Sequence, residues 1–111
     1  MTELIHQNLA DGRWQTMTLT EQLANVGSEF ERAWSWRAKG QKQLAENATD
    51  RMLELLDLTI TDPRWRGPKL RELTRLREAM CEEWFKGGNS APKDLSKYFL
   101  NFAMWARGGI R

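Results

Sequence analysis

Apolar residues return every three or four positions in four separate stretches of this chain, and glycine, proline or polar clusters close each stretch off. That period marks helices that bury one face. In the first stretch Leu19, Leu23, Val26, Phe30, Ala33 and Trp34 form the stripe. Thr18 and Glu21 have capping-box spacing, and the basic turn Arg37-Ala38-Lys39 runs into Gly40, so a helix is predicted over residues 19–39. Gly27 in its middle costs about 1 kcal/mol against alanine and predicts a close crossing by another helix. Trp36 points away from the stripe.

The second stretch, about residues 41–60, carries Leu44, Ala48, Met52, Leu55, Leu56 and Thr59 on one arc, with Leu53 and Ile60 widening it. A surface that wide implies contact on two sides, which makes this the expected central helix. Asp62-Pro63 stops it, because the residue before proline leaves the helical region and proline lacks a donor. Helix three is predicted to start near Pro68 and carries Leu70, Leu73, Leu76, Met80, Trp84 and Phe85. Arg77 projects near the centre of that arc and needs a carboxylate, for which Glu29 or Glu54 is the expected partner. Gly87-Gly88-Asn89-Ser90 is a loop, and Pro92 opens helix four, about residues 92–107, with Leu95, Tyr98, Phe99, Phe102, Ala103 and Ala106 inward.

Residues 1–17 show no such period. Asp11-Gly12 offers a tight turn and hence a short hairpin, but two strands alone are marginal in water, so the segment reads as an irregular arm anchored by Leu9 and Trp14. The predicted fold is all-α, an up-and-down four-helix bundle over residues 18–107, with an N-terminal arm at 1–17 and a tail at 108–111. The hairpin of residues 44–85 is the piece on which the rest packs.

Composition changes this picture in three ways. At 111 residues and 41% hydrophobic the chain suits one core and one domain. No apolar run approaches the ~18 residues of a membrane span, one cysteine cannot bridge within the chain, and no leader-like pattern opens it, so a cytoplasmic setting is the expectation. The net charge of +2 hides an asymmetry: residues 1–62 hold six Lys/Arg against ten Asp/Glu, and residues 63–111 hold eleven against five. Opposite faces of this kind suit head-to-tail self-association or docking on a polyanion.

Candidate chemistry is sparse. One histidine, His6, and one cysteine, Cys81, cannot supply three or four metal ligands or a Cys/His nucleophilic site, and Cys81 reads as a small core residue of helix three. Glu54 and Asp57 make an E-x-x-D pair. All-α nucleotide pyrophosphohydrolases of the MazG and dimeric dUTPase type hold Mg²⁺ with that pair and an E-E-x-x-E on the preceding helix. Here the preceding helix reads Glu29-Phe30-Glu31-Arg32-Ala33, which departs from that pattern, so no metal, cofactor or catalytic residue is assigned. The basic corner Arg64-Trp65-Arg66, continued by Lys69, Arg71 and Arg75, combines guanidiniums with an indole in the manner of a surface for single-stranded nucleic acid. Against it stands a plainer reading in which Glu72, Glu78, Glu82 and Glu83 pair with the cations along the helix and Trp65 caps the bundle end. Leu100 and Met104, at i and i+4 on the outer side of helix four, and the outward Trp36 exceed what one bundle can bury and predict a homo-oligomer interface.

The segments Leu19-Thr20-Glu21-Gln22-Leu23-Ala24-Asn25-Val26-Gly27-Ser28-Glu29 and Leu53-Glu54-Leu55-Leu56-Asp57-Leu58 through Asp62-Pro63-Arg64-Trp65-Arg66-Gly67 resemble a group of small bacterial all-helical proteins. In size and helix count the chain is similar to the four-helix-bundle accessory protein (Avd) of diversity-generating retroelements, a basic ring-forming bundle that binds a reverse transcriptase and RNA, although this chain is much less basic. The resemblance implies a non-enzymatic, oligomeric scaffold with RNA or a nucleic-acid enzyme as partner, and carries over no functional residue. A Mg-dependent pyrophosphohydrolase-like enzyme and a purely protein-binding module are the alternatives.

Overall fold

The computed structural model describes residues 12–108. Four helices follow a single turn of 3-10 helix at Trp14–Thr16: α1 (Leu19–Ala38), α2 (Lys42–Ile60), α3 (Pro68–Lys86) and α4 (Lys93–Gly108). Among the described residues there is no strand, and the architecture is an all-α four-helix bundle. The proposed hairpin at Asp11-Gly12 and the anchor Leu9 lie wholly or partly outside the described residues, but its second arm is not extended: Trp14 sits in the 3-10 turn and is fully buried.

Local chemistry accounts for the helix ends. The Thr18 hydroxyl accepts from the Glu21 amide at 3.1 Å, while the Glu21 carboxylate accepts from the Thr18 amide at 2.8 Å, closing the predicted box. Pro68 takes the first position of α3, and Gly87 ends that helix in the left-handed conformation, φ 87°.

α2 is contacted on two sides, by α1 and by α3, as its wide apolar surface suggested, and α1 shares the centre of the bundle with it. α1 lies between α2 and α4, whereas α3 rests on α2. Gly27 is what admits α4 to α1. A methyl group there would stand 2.7 Å from Cβ of Phe99 and 2.9 Å from its ring, so the missing side chain is what lets α4 approach. Gly27→Ala should therefore destabilise the fold by about 1–3 kcal/mol despite the better helix propensity of alanine, because Cβ of Phe99 can yield only if α4 moves. Urea unfolding followed by circular dichroism measures this; a stabilised variant would contradict the crossing.

Leu23, Val26, Phe30, Ala33, Met52, Leu55, Leu56, Leu73, Leu76 and Met80 fill the interior. Aromatic rings close it: Trp34 meets Trp84 edge-on with centroids 5.0 Å apart, and Phe30 meets Phe99 at 5.1 Å. Three expected core positions turn outward. Buried positions of α2 run Ala45, Ala48, Thr49, Met52, Leu55, Leu56, Thr59, which leaves Leu44 one step off the stripe and 40% exposed. On α3 the buried set Leu73, Leu76, Met80, Trp84 places the adjacent Phe85 about 100° away, and it is 82% exposed. Ala106, in the last turn of α4, is exposed as well.

Candidate functional site

The basic corner divides into two parts with different work. Asp62, 1% exposed, is its hub. Its Oδ1 accepts from the Arg64 amide at 3.0 Å and from Arg64 Nε at 3.1 Å; its Oδ2 accepts from Arg64 Nη2 at 2.8 Å and from Gln22 Nε2 at 3.1 Å. These donors hold the carboxyl at a pKa of about 2 against burial, which acts the other way. Gln22 Nε2 also donates to the Trp14 carbonyl at 2.9 Å, and Gln22 Oε1 accepts from the Trp65 indole at 2.8 Å. Trp14 donates its own indole N–H to the Thr59 hydroxyl at 2.9 Å, and Arg64 Nη2 reaches the Met17 carbonyl at 2.6 Å. The network thus ties the stretch from Trp14 to Met17, α1, the end of α2 and the α2–α3 turn together.

Two of the six residues expected to meet a polyanion belong to that network. Trp65 is half-buried, and the guanidinium of Arg64 lies over its ring, 4.4 Å from the centroid, with Lys69 Nζ at 5.2 Å. An indole so covered is poorly placed to stack on a base. The other four, Arg66, Lys69, Arg71 and Arg75, are exposed; Arg66 Nε donates to the Pro63 carbonyl at 3.3 Å. Intrahelical pairing does not consume Arg71 or Arg75. Glu72 instead accepts from the Tyr98 hydroxyl at 3.0 Å, and Glu83 pairs with Lys86 at 3.1 Å. Burial and that same Glu72 push the Tyr98 phenol up.

Asp57 and Glu29 are paired as well. Arg77 pairs with Asp57 at 2.8 Å, correcting the expected Glu29 or Glu54, because Arg77 stands at the α2-facing edge of α3 and not at its buried centre. Glu29 is held by Arg32 at 2.9 Å and Arg51 at 3.3 Å. Among the described residues no three His, Cys, Asp or Glu side chains are grouped as metal ligands. Cys81 is half-buried, less enclosed than the core position expected for it, and His6 lies outside the described residues.

Sequence reasoning missed Arg37. Its guanidinium lies 3.5 Å from the Trp84 ring centroid and 5.1 Å from that of Trp34, and Nη1 donates to the Trp84 carbonyl at 2.8 Å, closing the C-terminal end of α3; desolvation lowers its pKa.

The expected oligomer residues fall on one side of the molecule. Leu100 is 54% and Met104 53% exposed. Leu100 borders a groove of about 760 Å³ between α1 and α4, floored by Ala24, Phe99 and Ala103 and flanked by Lys93 and Lys97. Trp36, half-buried and with Lys39 Nζ 5.1 Å from its ring, lines a neighbouring depression that shares Glu31 and Arg32 with the groove.

Fold and surface together define an all-α bundle with a charged outer face and an open inter-helix groove. Comparison with protein-family models, with curated proteins and with solved structures returned no match, so none of these findings ties the chain to the retroelement accessory protein or to the pyrophosphohydrolases. No helix among the described residues is long and apolar enough to cross a membrane.

Proposed function

We propose that this chain is a non-catalytic binding module that docks a polyanion, specifically single-stranded RNA, on the N-terminal half of α3. One observation carries the reading: the first turn of α3 contains no acidic residue and instead holds Lys69 and Arg71, with Arg75 one turn on. Cations at a helix N-terminus oppose the helix dipole, at a cost of about 0.3–1 kcal/mol each, and among the described residues Lys69, Arg71 and Arg75 take part in no ion pair that would offset this. A sequence arranged for stability alone would place Asp or Glu there. An anion docked at that end satisfies both the dipole and the four exposed cations.

Fluorescence anisotropy with a labelled single-stranded RNA at a series of salt concentrations tests the reading. The double variant Arg71→Ala, Arg75→Ala should weaken binding to every sequence alike and flatten the log-log salt slope by roughly 0.7 for each charge removed. Both positions are exposed, so the fold should be unchanged by circular dichroism. Absence of binding by the wild-type chain at low salt, or an unchanged slope in the double variant, would remove nucleic acid from the reading.

A further inference from the structure

We infer that a second copy of this chain occupies the α1–α4 groove, and that the part it inserts is the outer stripe of α3 ending in Phe85. Two exposed surfaces match each other. The first is the groove, whose floor of Ala24, Phe99 and Ala103 is apolar, whose lip is the exposed Leu100, and whose rim carries Lys93 and Lys97 on the α4 side and Glu31 and Arg32 on the α1 side. The second is a knob: Phe85 is 82% exposed at the end of α3, and Glu78 and Glu82 precede it at i−7 and i−3, so all three share one face of the helix. Both glutamates are exposed.

Charge decides the occupant. Pairing α4 with its own copy in antiparallel fashion would bring Lys93 and Lys97 towards Arg107, all on one helix with Asp94 as its sole acidic residue, and like charges across an interface are unfavourable. Seating Phe85 in the groove instead brings Glu78 and Glu82 to the lysines while the phenyl ring covers the apolar floor beside Leu100. An aromatic anchor seated in a pocket, here flanked on the α4 side by charge complementary to the two glutamates, is the usual energetic centre of a protein interface. The groove, at about 760 Å³, has room for the ring and for the adjoining turn.

Because Phe85 makes so little contact within its own chain, Phe85→Ala removes the knob without burdening the fold. Light scattering coupled to size exclusion, on the full chain at high micromolar concentration and without nucleic acid, should give a mass of two or more protomers. Phe85→Ala should raise the dissociation constant on the order of tenfold or more. Glu82→Lys and Lys97→Glu should each weaken association, and the two combined should restore it. A mixture of Phe85→Ala chains, which keep the groove, with Leu100→Lys chains, which keep the knob, should associate where each alone does not. A monomeric wild type, or a Phe85→Ala variant of unchanged mass, overturns the inference, and neither result bears on the RNA measurement.

Discussion

Replacing Asp62 by asparagine should cost the fold about 3 kcal/mol, with a loss that depends on pH. The carboxylate is buried and meets donors from Arg64, from the Arg64 amide and from Gln22, so an amide in its place turns an N–H towards groups that can only donate. Breaking a buried pair ordinarily costs about 3–5 kcal/mol, and the exposure of Arg64 to water puts this case at the lower end. The pH dependence follows from the depressed pKa of about 2 against an ordinary 3.8. A carboxyl depressed on folding contributes stability that is fully present above its unfolded pKa and is lost as the pH falls towards the folded one. Wild type should therefore lose about 1–2 kcal/mol between pH 5 and pH 2 from this group, after allowance for solvent screening at Arg64. Asp62→Asn should lack that component, so the two urea-midpoint curves should converge in acid. Parallel curves would show that the carboxylate is not held as described.

Trp14→Ala should be the most damaging single truncation outside the helices, at about 3–5 kcal/mol, the range for removing a buried indole. Its whole side chain is enclosed, and its indole N–H reaches Thr59, 45 positions along the chain. Trp14→Phe separates the two contributions. It keeps most of the apolar contact and loses the hydrogen bond, while the Thr59 hydroxyl retains the Leu55 carbonyl at 3.0 Å, so about 1 kcal/mol plus a small cavity term is expected. Equilibrium unfolding in urea gives both values. A Trp14→Ala variant within 1 kcal/mol of wild type would mean that the segment ahead of α1 is not docked in solution.

Helix positions, the cap at Thr18 and the close crossing at Gly27 were legible because each is a local or periodic property: a spacing, a side chain that bonds three residues on, a residue no helix would choose without a reason. That α1 would share the centre with α2 was not, since width of an apolar face does not reveal which neighbour will use it. Phe85 and Leu44 were misplaced by a single 100° step, which composition cannot resolve. In the basic corner the cations were readable, but their division was not. Arg64 and Trp65 are drawn inward by Asp62 and Gln22, and that depends on the conformation of the turn. One sign stood in plain view: Gln22 precedes Val26 by four residues on an otherwise apolar stripe, and a polar residue there must satisfy its amide inside the protein.

The polar hub around Gln22 and Asp62 also sets an order of events. Its members come from positions 14, 17, 22, 59, 62, 64 and 65, and none of its long-range bonds can form before the hairpin of α1 and α2 has brought residues 22 and 59 together. Docking of Trp14 closes a loop of more than forty residues, whose entropic cost is offset only once that hairpin exists. The short turn around Trp14 is thereby a late-closing latch, seated after the helices it fastens, and protection of the Trp65 indole from solvent should lag behind helix formation in refolding.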